Sequence, residues 1–234
     1  MPDALPRQAF AEITVGELLA QLRRGARCAL QVRHAERTKI DAADKSFGLS
    51  IPITPEGERT SERLGAMLAE AGRDVAFLSS PHLRTLMTAR RIAAGMGLHD
   101  AEVRAEPRLG NGSFYFADAQ AVYDTFTNGG FFDSCFRYFR GASLPGLADL
   151  REASDALEDW LLARLSTGLL VAVTHDSHIA SFLSAKTDVV FSRENWPHFL
   201  DGAAVLVEPD GTRRYALVRT GLSAGISGID APKD

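Results

Sequence analysis

Three short stretches of the chain are apolar at nearly every position: Cys28 to Val32, broken by Gln31, then Val75 to Leu78, and Leu169 to Val173. Runs of that length without alternation predict strands covered on both faces. Between them the apolar positions recur with the helical period. Thr14-Val15-Gly16-Glu17 forms a capping box, with Ile13 and Leu18 placed as a hydrophobic staple, and Leu18, Leu19 and Leu22 continue one face as far as Gly25. Thr54-Pro55-Glu56 opens a second helix with Leu64, Met67, Leu68 and Ala71 on its buried side and Gly72 as its stop. Ser79-Ser80-Pro81 leads into a third, with Leu86, Ala89, Ala93 and Met96 as its face. A fourth carries Leu150, Leu157, Leu161 and Leu165 and ends at Gly168. A short one follows His175-Asp176 and runs through Leu183. Val103 begins a brief strand, and two more, Ala203 to Val207 and Tyr215 to Val218, are joined by a Pro209-Asp210-Gly211 turn.

Two stretches lack a clear period. From Thr38 to Ile53 the chain is a polar loop with Asp41, Asp44, Lys45 and Gly48. From about 110 to 145 it is rich in Phe, Tyr, Gly and Asn and reads as an insertion or lid over the sheet edge. Strands alternating with helices predict an α/β fold: three layers, α/β/α, with a mainly parallel sheet and helices on both faces. At 234 residues, one domain spanning 1–234 accounts for the chain. The formal net charge of −4 argues against a nucleic-acid or membrane-surface partner, so any cationic patch must be local. Cys28 and Cys135 offer neither a disulfide framework nor metal-ligand spacing, and Cys28 reads as a small core residue. Met1 to Pro6 lacks the basic-then-apolar pattern of a signal peptide, and no run reaches the ~20 apolar residues of a membrane helix. A cytoplasmic protein is expected.

The first strand ends in a way no core requires. Arg33 and His34 follow it, Glu36 and Arg37 come next, and such groups are costly to bury unpartnered. An anion does call for them, because guanidinium forks match phosphate oxygens. Arg84 lies in the first turns of the helix after the second strand, and His175-Asp176 follows the last long parallel strand. In an open parallel sheet the carboxyl ends of the strands share one edge, so these three clusters converge on one pocket. Each alone has an ordinary structural explanation; together they point to phosphate chemistry. His82, His99 and His198 read as structural histidines, as does His178, although it is close enough to back the pocket.

Arg33-His34-Ala35-Glu36-Arg37, Ser79-Ser80-Pro81-His82-Leu83-Arg84-Thr85 with Thr88-Ala89, and Thr174-His175-Asp176-Ser177 resemble the motifs of the histidine phosphatase superfamily, with its phosphoglycerate-mutase-like fold. The resemblance implies His34 as phosphate acceptor and Arg33, Arg37, Arg84 and His175 as the phosphate pocket. Two positions depart from the pattern. Ala35 stands where a glycine is usual. Asn111 stands where the mutase-like branch carries its proton-donating glutamate, whereas Asp176 directly follows the second histidine, as in the acid-phosphatase branch. The expectation is therefore a phosphomonoester hydrolase needing no metal or cofactor and acting on a small phosphorylated substrate. His34 attacks, a protonated His175 and the arginines hold the oxygens, and Asp176 donates the proton. A phosphoryl-transferring mutase and a non-catalytic phosphate-binding module are the competing readings. Asn111 disfavours the first; the intact His34 and Asp176 disfavour the second.

Overall fold

The structure, a computed structural model, describes residues 7–40, 44, 46, 48–166 and 168–223. The residues of the N-terminal signal reading, and Asp41 and Lys45 of the polar loop, lie outside the described residues. Seven strands form one sheet: β1 (Glu12–Thr14), β2 (Arg27–Arg33), β3 (Val75–Ser79), β4 (Val103–Ala105), β5 (Leu169–Thr174), β6 (Gly202–Val207) and β7 (Arg213–Arg219). Their order is β1-β7-β6-β2-β5-β3-β4. All pairings are parallel except those of β6, which runs antiparallel to β2 and β7. A hairpin turn at Pro209-Asp210-Gly211 explains the reversal between β6 and β7, since a tight turn joins only antiparallel strands. β1 is an addition to the sequence reading; three residues are too few to show a period.

Among the described residues seven α-helices flank the sheet: α1 (Val15–Arg23), α2 (Pro55–Ala69), α3 (Leu83–Gly95), α4 (Ala119–Gly129), α5 (Phe131–Phe139), α6 (Leu150–Leu162) and α7 (Asp176–Lys186). Residues of α1, α2 and α3 share one buried cluster with Cys28, Leu30, Val32, Leu169, Val171 and Val173. Residues of α5, α6 and α7 share the other with Ala29, Leu170, Ala172, Ala203 and Val205. The alternate side chains of each central strand thus enter opposite cores, which is why these strands are apolar at nearly every position between their ends.

The predicted caps form. Thr14 and Glu17 make the reciprocal capping box, and Thr54 Oγ1 accepts from Gly57 N at 3.0 Å. The buried side of α3 is rotated from the expected one: Thr85, Thr88, Ala89, Ile92 and Ala93 are buried, while Leu86 and Met96 are only half-buried. α6 stops at Leu162, so Leu165 is a buried residue of the connection, and the Gly168 carbonyl accepts from Cys28 N at 3.0 Å, at the start of the strand pairing. α7 runs one turn beyond Leu183. The aromatic segment, without clear period in sequence, contains two helices hinged at Gly130. In α5, Phe132, Cys135, Tyr138 and Phe139 turn one side inward, and Phe132 and Phe139 pack against the buried Trp196 at 5.1 and 6.2 Å between rings. Trp196 lies sixty residues away in the chain, so packing rather than local pattern stabilises this helix.

Candidate active site

The register of three adjacent parallel strands builds the site. Arg33 on β2 pairs with Thr174 on β5, and Ser79 on β3 pairs with Val173 on β5. The residues just past these ends are therefore neighbours: His34 N donates to Thr174 O at 3.0 Å, and Ser80 N to Val173 O at 2.9 Å. The ring centroids of His34 and His175 lie 5.6 Å apart. The structure brings Arg33, His34, Arg84, His175 and Asp176 together at this edge, all largely buried, with Arg37 half-buried beside them.

His34 Nδ1 lies 2.8 Å from the carbonyl of Ala35. A carbonyl only accepts, so Nδ1 carries the proton and Nε2 keeps its lone pair. Burial, then Arg84 and Arg33, hold the imidazole well below its ordinary pKa, so it is neutral. Ala35 N donates to Thr88 Oγ1 at 3.0 Å, which fixes the turn carrying the histidine.

Arg33 is held through both terminal nitrogens and one face. Nη1 donates to Pro197 O at 2.6 Å, Nη2 pairs with Asp176 Oδ2 at 3.1 Å, and the guanidinium lies 4.2 Å over the Phe199 ring. Arg84 donates through Nη1 to Gly48 O at 2.6 Å, and its Nη2 lies 3.4 Å from His175 Nδ1. Burial, with neighbouring arginines, lowers Arg84 to about 9 and Arg37 to about 10, values at which both remain cations at neutral pH. Arg84 can only donate, so His175 Nδ1 accepts, and Nε2–H is directed to Ser80 Oγ at 3.1 Å. Burial and Arg84 push His175 well below its ordinary pKa. Without a bound anion this histidine is neutral; the protonated His175 expected from the sequence belongs to the phosphate-bound site.

Burial raises the pKa of Asp176, but Arg33, the Trp196 indole N–H at 3.1 Å, the Ser177 amide at 2.9 Å and Arg37 together bring it below the usual carboxylate value. In the free site it is a carboxylate, so the acid role expected of it requires a proton gained when substrate binds. Asn111 is exposed, and Glu36 and Glu106 are half-buried.

Sequence reasoning missed several contributors. Ser80 bonds His175, Thr85 Oγ1 (2.8 Å) and His82 Nδ1 (3.3 Å). His82, read as an ordinary histidine, stacks edge-on against His175 at 4.7 Å; His178 lies on another contact of that ring at 5.6 Å. The segment from Asn195 to Asp201 forms a wall. Asp201 O accepts from Arg33 N at 2.8 Å, and its carboxylate accepts from His198 N, Thr220 N and Arg219. That bracing holds Leu200 at φ +67°, a region few non-glycine residues adopt. Its aperiodic Trp196-Pro197-His198-Phe199 was the available signal. Among the described residues, no group of three or more His, Cys, Asp or Glu side chains is arranged to hold a metal ion, and no helix is long and apolar enough to cross a membrane.

Residues 30–219 match the model of the histidine phosphatase superfamily, branch 1. The chain belongs to this superfamily. The match is to branch 1, and it does not extend to the acid-phosphatase likeness expected from Asp176. No curated protein matches the sequence. Among solved structures, a phosphoserine phosphatase from Entamoeba histolytica, in complex with 3-phosphoglyceric acid, is 17% identical with a TM-score of 0.54, covering 83% of this chain and 98% of its own. A mycobacterial glucosyl-3-phosphoglycerate phosphatase is 15% identical with a TM-score of 0.53, over 82% of this chain and 97% of its own. A phosphoglycerate mutase from Bacillus anthracis is 12% identical with a TM-score of 0.51, over 82% and 92%. The chain shares their phosphoglycerate-mutase-like fold.

Proposed function

We propose that this histidine phosphatase is a metal-independent, cytoplasmic phosphomonoester hydrolase acting on a small phosphorylated substrate through a phosphohistidine on His34. The observation that carries the reading is the lone pair of His34 Nε2, freed by the Nδ1–H bond to Ala35 O and set among three arginines and His175. Nε2 attacks phosphorus in line, the P–O bond to the leaving group breaks, and the departing oxygen takes a proton. Water then attacks the phosphohistidine, loses a proton, and releases inorganic phosphate with His34 restored. Arg33, Arg37 and Arg84 compensate charge on the equatorial oxygens, which is where binding must be strongest in the transition state.

The bound dianion changes the protonation of its neighbours. It raises His175, which then takes a proton and becomes a charged donor. It also competes with Asp176 for Arg33, so the carboxyl gains a proton as substrate binds. Asp176 gives that proton to the leaving oxygen and, as carboxylate, takes one from the attacking water. A mutase requires a second acceptor and a donor near Asn111, an exposed neutral amide.

Release of p-nitrophenol from p-nitrophenyl phosphate, with and without chelator, tests the hydrolase reading, and rapid acid-free quench tests the intermediate. His34→Ala is expected to abolish turnover without unfolding the protein. Full turnover in that variant, or phosphate trapped on another residue, overturns the reading; binding of phosphate without turnover in the wild type makes the chain a binding module.

A further inference from the structure

His82 sits where the proposed phosphate chemistry has given it no task. It is 2% exposed at the N-terminus of α3, makes no side-chain cap bond, and its Nε2 has no hydrogen-bond partner among the described residues. A buried imidazole with an orphaned nitrogen is costly unless something uses it. Its Nδ1 lies 3.3 Å from Ser80 Oγ, and Ser80 Oγ accepts the Nε2–H of His175. Thr85 Oγ1 donates to the carbonyls of Ser80 and His82, so the Ser80 hydroxyl proton can go to Thr85 or to His82 Nδ1. The two histidines are thus joined by one hydroxyl that can accept from one and donate to the other.

We propose that His82 is a positioning residue that shares the proton of His175 through the Ser80 hydroxyl, so that the phosphate pocket takes up its proton as a coupled histidine pair. This role presupposes the phosphate site described above. When a phosphate dianion binds, His175 gains a proton on Nδ1, facing Arg84 and the anion. The Nε2–H then passes to Ser80 Oγ while the Ser80 proton passes to His82 Nδ1. No heavy atom moves, one proton leaves His175 and one arrives on His82. His175 keeps an Nδ1–H donor toward the phosphoryl oxygens, and the positive charge is spread away from the Arg84 guanidinium 3.4 Å off.

The groups facing the pair set the conditions. Arg84 on the same helix faces both rings, His178 on α7 faces both, and His34 faces His175. Of these only Arg84 is a cation, and with burial it opposes a charge on either ring, so only a bound anion makes the shared proton favourable. From the loop after β4, Gly110 closes over His82: a Cβ there would stand 3.4 Å from Nδ1 and 3.1 Å from the Ser80 Cβ. This close approach keeps water from competing for the Ser80 hydroxyl.

Calorimetric titration with inorganic phosphate, repeated in buffers of different ionisation enthalpy at pH 7, counts the protons taken up on binding. His82→Asn keeps an acceptor near Ser80 without a titrating group, and Ser80→Ala breaks the link while leaving His82. Wild-type protein is expected to take up close to two protons per bound dianion, one by the histidine pair and one by Asp176, once the proton released by the phosphate monoanion at pH 7 is added back. Both variants are expected to take up fewer by about half a proton or more, with the alkaline limb of their kcat profile, which reports the bound complex, moved down by about one pH unit, a tenfold loss of proton affinity. In phosphate-bound wild type, the ¹⁵N shifts of His82 and His175 should titrate with a common midpoint. Independent midpoints, or unchanged proton uptake in the variants, overturn the proposal even if melting temperatures fall. Absence of phosphate binding in the wild type would instead overturn the phosphate site itself.

Discussion

Acidification should unfold this protein through its histidines. Four of the six, His34, His82, His175 and His178, are at most 9% exposed, and all four are held below the ordinary imidazole pKa, chiefly by burial; His82 falls to about 3 and His178 to about 4. In the unfolded chain the same groups titrate near 6.5. Below that value the unfolded chain binds more protons than the native one, so stability falls as pH falls, and no such loss arises above it. Each proton difference is worth about 1.4 kcal/mol per pH unit, so from 6.5 down to 5 each histidine costs about 2 kcal/mol and the four together about 8 kcal/mol. Since a domain has only about 5–15 kcal/mol in total, little stability should remain at pH 5. Carboxylates such as Asp176 do not blur the window, because their contribution is lost only below about 4. The assay is urea unfolding at pH 7 and pH 5 in buffers free of phosphate, at equal ionic strength. Inorganic phosphate should restore much of the loss by giving the imidazolium ions a counter-charge. A difference below about 2 kcal/mol between the two pH values would mean that the imidazoles charge in place and would refute the neutral cluster.

Other perturbations probe separate parts of the design. Asp176→Asn strands the buried Arg33 guanidinium and should destabilise by about 3 kcal/mol, the lower end for breaking a buried pair because Pro197 O and Phe199 remain, read as a melting-point drop. The same variant should slow an alkyl phosphate by about 10²–10⁴-fold, the range for losing a general acid, and p-nitrophenyl phosphate much less, because that leaving group departs without a proton; equal losses in the phosphorylation step would move the acid elsewhere. Arg84→Lys keeps a cation but loses the fork, and steady-state kinetics should show strong impairment. Gly65→Ala places a Cβ 2.0 Å from Ile92 O where α2 crosses α3, and thermal unfolding should report a loss of about 1–3 kcal/mol with overpacking.

The sequence by itself determined the layers of the fold and the chemistry of its edge. Strands apolar at nearly every position are covered on both faces, and caps such as Thr14-Glu17 and Thr54-Pro55 act within one turn, so both were legible. Parallel strands carry their carboxyl ends to one edge, so Arg33-His34, Arg84 and His175-Asp176 could be brought together from order alone. Tertiary structure decided what those groups are. The carboxylate state of Asp176 depends on Arg33, 143 positions away, and on the Trp196 indole. The neutrality of His175 depends on burial and on Arg84. Charge state follows from three-dimensional surroundings, and no local pattern encodes it. α5 was illegible for a similar reason: its aromatic face finds its partner, Trp196, only after the chain has returned across the sheet. His82 read as an ordinary structural histidine until folding set its ring against His175, because sequence spacing locates a side chain on its own element but says nothing of what packs against it from another.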